Sequence, residues 1–259
     1  MPQWFDTPPG RYALAWEARQ FDALVCNLFG YHALQLGLPA VDALRANRIS
    51  HQWLALSAAA AKEAPSLRPV SLVTNYSALP FPAASLDLVV LPHTLDSHPD
   101  PHATLREVAR VLVPEGRVVI SGFNPLSLWG LRYGFDRLRK RYGWGEPYLP
   151  GVRQLIGNRR LRDWLHLLDF EVEAGHFGAY CPPVRNQSWL QRLAGLDAIG
   201  QRWCPVLGAV YCLVAVKRVH GMRLLGPAWK TVSSRASASV PVAQRNSDNH
   251  GLTINRDPL

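Results

Sequence analysis

The chain has 259 residues, 48% of them hydrophobic, and a formal net charge of +9. This is enough for one full α/β core with additions, and no apolar run approaches the roughly 18–20 residues that would span a bilayer, so no membrane span is expected. The four cysteines, Cys26, Cys181, Cys204 and Cys212, form no CxxC pair and have no histidine at metal-ligand spacing, which argues for reduced thiols and against a zinc site. The first residues lack a basic start followed by an apolar core; without a secretory signal, a cytoplasmic location is expected.

Residues 1–30 read as a loop and a helical brace: Pro8-Pro9-Gly10 is a breaker, after which Tyr12, Leu14, Trp16, Phe21, Leu24 and Val25 recur near helical spacing. The α/β domain is expected over residues 31–220. It opens with an apolar strand, Ala33-Leu34-Gln35-Leu36, that reaches Gly37 in a tight turn and leads into a helix over residues 41–47. A short strand follows at residues 51–56, an alanine-rich helix at 58–64 and a strand at 69–75.

Residues 86–91 are a continuous apolar strand of the kind buried on both faces of a parallel sheet. Residues 102–112 place Leu105, Val108, Ala109 and Leu112 on one helical face and Arg106, Glu107 and Arg110 on the other. Pro114-Glu115-Gly116 stops that helix before a strand at residues 117–121. Strand, helix, turn and strand make a parallel crossover, so an open α/β sheet is expected.

Residues 124–150 are rich in Gly, Trp, Tyr and Arg and read as a helix plus loop, part of a basic aromatic insertion extending to about residue 160. A short amphipathic helix at 160–168, a strand at 170–180, a helix at 188–203 and a strand at 208–218 follow, and the last two strands are expected to pair antiparallel. The basic tail from residue 221 lacks periodicity and is expected to be disordered.

Residues 78–121 closely resemble the middle of class I S-adenosylmethionine-dependent methyltransferases, in particular the small-molecule branch that includes quinone-biosynthesis enzymes. Four pieces match in order: Leu79-Pro80-Phe81, Leu86-Asp87, His98-Pro99-Asp100-Pro101, and Leu105-Arg106-Glu107 through Pro114-Glu115-Gly116. The resemblance implies a Rossmann-like sheet, mostly parallel with an antiparallel closing strand and helices on both faces. It also implies S-adenosylmethionine as cofactor and a small molecule as methyl acceptor.

In such sheets the ligand lies beyond the carboxyl ends of the strands. The resemblance therefore makes Gln35, Gly37, Leu38, Ser57, Asn75, Tyr76, Ser77, Pro92 and His93 the cofactor-binding candidates. Against the family's acid-x-Gly-x-Gly-x-Gly turn, Gln35 replaces the acid, Pro39 the second glycine and Val41 the third. Ser57 and Asn75 stand where the family carries acids.

His93 and His98 are candidate general bases, or else histidines that line the pocket or satisfy a turn. Asp96 and Asp100 either orient them or initiate the turn and cap the next helix. Asn124 is a candidate substrate contact, with an Asn-Pro turn as the alternative. The absence of GxGxxG and of G-x-S-x-G argues against a dinucleotide oxidoreductase and a serine hydrolase. The arginines between residues 132 and 162 could solvate the surface or attract nucleic acid, anionic lipid or an acidic partner. Two rivals thus stand beside a small-molecule methyltransferase: a non-catalytic binding module using its basic surface, and an RNA methyltransferase.

Overall fold

The computed structural model describes residues 2–63, 66–141, 147–193 and 195–218. The tail over residues 221–259 lies outside the described residues. The elements run α1 (Pro2–Phe5), α2 (Pro8–Val25), β1 (His32–Leu36), β2 (His51–Leu56), α3 (Ala58–Glu63), β3 (Leu72–Val73), β4 (Leu86–Pro92), α4 (Thr94–Ser97) and α5 (Pro101–Val111). They continue with β5 (Leu112–Phe123), α6 (Leu128–Arg141), α7 (Asn158–His166), β6 (Phe170–Gly178), α8 (Gln187–Arg192), α9 (Leu196–Trp203) and β7 (Val210–Lys217).

The seven strands lie in the order β3-β2-β1-β4-β5-β7-β6. β1, β2, β3, β4 and β5 are mutually parallel where they pair, and β7 runs antiparallel to both β5 and β6. One face of the sheet packs against α2 and α6 through Phe21, Val25, Phe123 and Trp129; the other packs against α5 and α7 through Leu105, Val108, Leu161 and Leu165. None of the described helices is long and apolar enough to cross a membrane.

The matched motif pieces turn out to be structural staples. Asp87 Oδ2 accepts the backbone N–H groups of Tyr31 and His32, at 2.8 and 2.9 Å, which pins the start of β1 to β4. Glu107 accepts the Leu79 N–H at 3.0 Å, while Arg110 donates to the carbonyls of Leu79 and Phe81 at 3.0 Å each, so residues 79–81 are fastened to α5. Asp100 caps α5 by accepting the Ala103 N–H at 2.9 Å.

Several sequence expectations are corrected. Pro8-Pro9-Gly10 does not break a helix but begins one: Thr7 caps α2, and prolines in a first turn lack only N–H groups that would have no intrahelical partner. Strand β3 is only Leu72–Val73 rather than residues 69–75, and the helix expected at 188–203 is split into α8 and α9. β5 begins at Leu112, with a shift in its pairing with β4 that absorbs Pro114, Glu115 and Gly116.

The largest correction concerns the helix predicted at 41–47, where the chain forms only turns. Gln35, 1% exposed, reaches into this segment: its Nε2 donates to the carbonyls of Gly37, Leu38 and Val41, and its Oε1 accepts the Ala43 N–H at 2.9 Å. These carbonyls and this N–H would otherwise need helical partners, so one buried amide satisfies the loop in place of a helix. The sheet face left uncovered is taken by α2, whose Phe21 and Val25 join the cluster that also holds Val41, Ala43 and Leu44.

α2 is tied down by a buried ionic cluster. Glu17 on α2 sits 2.8 Å from His93 Nε2, and His93 Nδ1 lies 3.2 Å from Asp96 Oδ2, all three side chains being at most 1% exposed. Asp96 also accepts the Phe123 N–H at 2.9 Å, so the cluster joins α2, the end of β4 and the end of β5. Burial opposes the charge on His93, but Glu17 and Asp96 outweigh it and raise its pKa from 6.5 to about 9. Burial raises Asp96 as well, with His93 pulling the other way.

Two outcomes follow. Because His93 titrates higher in the folded state, the stabilisation is fully present below about pH 6.5 and is lost as pH rises through about 9; urea unfolding across that window should show falling stability. The His93→Asn variant, whose side chain tolerates the left-handed φ of 50° there, should flatten that decline, and a flat wild-type profile would contradict the cluster's charge. Gln35→Glu, which would aim a carboxylate at three carbonyl oxygens, should lower the unfolding free energy by about 3 kcal/mol; a change below about 1 kcal/mol would contradict the bonding described.

Candidate functional site

At the carboxyl ends of β1, β2 and β4 lies a cleft of about 680 Å³, within the range of small-molecule sites. Gly37, Leu38, Ser57, Tyr76, Pro92 and His93 all line it, as do Thr94, His98 and Arg153. Gly37 has φ of +81°, and a Cβ there would come within 3.0 Å of Thr94 Oγ1 and 3.4 Å of the Tyr76 hydroxyl. Glycine therefore permits both the turn and the close approach of the neighbouring strand end. Leu38 follows at φ 38°, a conformation uncommon for a branched residue, and the Gln35 amide bonded to its carbonyl holds it there.

The walls are fixed by hydrogen bonds that leave polar atoms at the cleft surface. The Thr94 hydroxyl donates to the Leu36 carbonyl, joining the ends of β4 and β1. The Tyr76 hydroxyl accepts the Ser57 N–H at 2.9 Å, and burial raises its pKa, so it stays a neutral phenol. Ser57 Oγ accepts the Ala60 N–H at 3.2 Å, capping α3 while facing the same space.

Other candidates lie apart from the main cleft or are engaged elsewhere. Asn75 lines an adjoining recess of about 480 Å³ that shares Ser57, Tyr76 and His98 with the cleft, and its Oδ1 accepts the Ser77 N–H at 3.0 Å. Gln35 lies behind the turn as its support. Both ring nitrogens of His93 face interior carboxylates, and its ring packs 4.1 Å from that of Phe123. His98 turns Nδ1 to the Asp100 backbone and Thr104 and packs its ring against Tyr76; it is half-buried and lines the cleft. Asn124 donates to the carbonyls of Val206 and Gly208 and accepts the Leu126 N–H, which makes it the fastening of its own turn.

Sequence reasoning missed Glu17, Thr94 and Arg153. Glu17 carries no local signal, since it sits in a helix that reads as amphipathic. Arg153 belongs to the segment after α6, whose backbone is anchored when Arg153 and Gln154 donate to the Asp96 carbonyl at 2.9 and 3.3 Å. Gly151, Val152 and Arg153 are shared with a second, larger cleft of about 1090 Å³ that runs along α6 past Tyr133 and Arg137.

The cleft at the ends of β1, β2 and β4 has room for a small polar molecule. It offers a backbone turn at Gly37, hydroxyls at Ser57 and Tyr76, a guanidinium at Arg153 and apolar walls at Leu38 and Pro92. No carboxylate lines it among the described residues. A ribose there would be held by neutral hydroxyls rather than by an acid.

Residues 29–120 match the family model described as a methyltransferase domain. An uncharacterised Escherichia coli (strain K12) protein, YafS, is 39% identical over 171 residues, and the match covers 65% of each chain. The match thus spans 65%, less than two thirds, of the length of that curated relative. Among solved structures, an S-adenosylmethionine-dependent methyltransferase from Thermotoga maritima superposes with a TM-score of 0.55 at 16% identity, covering 80% of this chain and 90% of that one. One from Archaeoglobus fulgidus does so with a TM-score of 0.55 at 16% identity, covering 78% and 93%. At these identities the superpositions establish the fold, and the matched domain agrees with it. The chain thus has the fold of S-adenosylmethionine-dependent methyltransferases, and its residues 29–120 match a methyltransferase domain.

Proposed function

We propose that this protein transfers a methyl group from S-adenosylmethionine to a small molecule. The observation that carries the reading is the cleft at the carboxyl ends of β1, β2 and β4, with Gly37 in the left-handed region at its base. When bound, the cofactor supplies an activated methyl on a sulfonium, a group that needs alignment more than acid or base assistance. The Gly37-Leu38 backbone would receive its amino-acid end, with Arg153 available to the carboxylate. Ser57 and Tyr76 would hold the ribose, and Asn75 in the adjoining recess would meet the base.

Replacing charge-assisted bonds to the ribose by neutral ones costs about one to two decades in affinity and does not abolish binding. His93 is kept from proton transfer by Glu17 and Asp96 on its two nitrogens. His98, whose Nε2 has no hydrogen-bond partner among the described residues, is the candidate to touch the methyl acceptor and take its proton. One observation favours a second reading, a non-catalytic binding module of the same fold: the cleft has no acid to replace the missing carboxylates.

Calorimetric titration of the full chain with S-adenosylhomocysteine separates the two. Saturable heat is expected, and Gly37→Val should reduce the affinity at least about a hundredfold because the added side chain meets Thr94 and strains the turn. Absence of heat at millimolar ligand, with the wild-type chain folded by circular dichroism, would eliminate the methyltransferase reading and leave the binding module.

A further inference from the structure

α6 exposes the wrong residues for a helix that faces only water. Its inner face buries Trp129, Tyr133 and Asp136. At 3.6 residues per turn, Leu128, Leu131, Phe135 and Leu138 form a stripe on the opposite face, and each is 53–66% exposed. Scattered apolar residues on a surface are ordinary, but four in helical register opposite a buried face are not.

The stripe continues beyond the helix. Asn124 donates to the Val206 carbonyl at 2.7 Å, so the turn before α6 is joined to the 205–207 turn, where Val206 and Leu207 are about half exposed. Leu126, between Asn124 and α6, is exposed as well.

The charges beside the stripe are of one sign. Arg139 borders one edge of it, as does Arg132, whose Nε lies 3.9 Å from Asp136 Oδ2 and whose guanidinium sits over the Tyr148 ring, while Arg137 lies on the far side of the helix beside Tyr133. The Arg139 guanidinium sits 5.9 Å over the Phe135 ring, bridging stripe and border. Asp136, the one carboxylate of α6, is buried and paired with Arg132, so no acidic side chain of this helix reaches the outer face and, among the described residues, Arg139 is left there as a free positive charge. A second copy presenting the same face would bring arginine against arginine, which opposes a symmetric pairing. Aliphatic and aromatic side chains flanked by arginines match a surface that is apolar beneath and anionic at its boundary.

We propose that α6, with the adjoining 124–127 and 205–207 turns, docks this protein on an anionic lipid bilayer, its apolar stripe seated among the acyl chains and its arginines against the headgroups. The proposal does not depend on the methyl-transfer reading.

The test is co-sedimentation of the full chain with vesicles of phosphatidylglycerol and phosphatidylcholine in equal parts, and with phosphatidylcholine alone. Binding is expected to the anionic vesicles, weaker by roughly tenfold or more on the neutral ones and on raising salt. The L131E/F135E variant should lose the binding by a similar factor; both positions are exposed, so folding, checked by circular dichroism, is expected to be unchanged. R139A should weaken binding to the anionic vesicles only. No binding of the wild-type chain, or binding that L131E/F135E leaves intact, would overturn the proposal. So would a wild-type dimer in sedimentation velocity that fails to bind vesicles and that L131E/F135E dissolves, which would put a second copy on this face.

Discussion

The arrangement of the cleft depends on a buried charge cluster in which one imidazole lies between two carboxylates. His93 stands at the carboxyl end of β4 with φ of 50°, and Glu17 and Asp96 hold it there from α2 and α4. Compared with apolar side chains of the same shape, such a cluster contributes little net stability, because desolvating the charges offsets most of their attraction. What it provides is geometry. Removing any one member would strand the others in the interior, so α2 cannot leave the sheet, and β4 and β5 cannot separate at the end that forms the cleft floor.

The fixed position of α2 explains how the fold dispenses with a helix after β1. A parallel crossover needs its exposed sheet face covered, and here Phe21 and Val25 of α2 do it from the N-terminal side. The connection after β1 is then free to be irregular, provided that its backbone groups are satisfied. Gln35 satisfies four of them. A carboxylate at that position could accept but not donate, so the irregular connection depends on the amide.

Much of the fold was legible in the sequence because its signals are local. The 86–91 run, the apolar face of α5 and the Asp100 cap each depend on neighbours in the chain, and each appears where periodicity places it. The cleft was legible through strand order, which brings Gly37, Ser57, Tyr76, Pro92 and His93 together. What could not be read was whatever one side chain does to a distant partner: Glu17 against His93, Gln35 against the 37–43 loop, Asn124 against the 206–208 carbonyls. His93 and Asn124 looked like chemistry in the sequence because polar residues past strand ends often are. In the fold their polar atoms are engaged with protein partners.

The decisive measurement is a crystal structure of the full chain soaked with S-adenosylhomocysteine. The ligand is expected over Gly37, with its ribose hydroxyls within hydrogen-bond distance of Ser57 and Tyr76 and of no carboxylate, and with the His93 ring still between Glu17 and Asp96. A ligand bound outside this cleft, held by an acidic side chain, or in contact with a freed His93 imidazole would contradict this expectation.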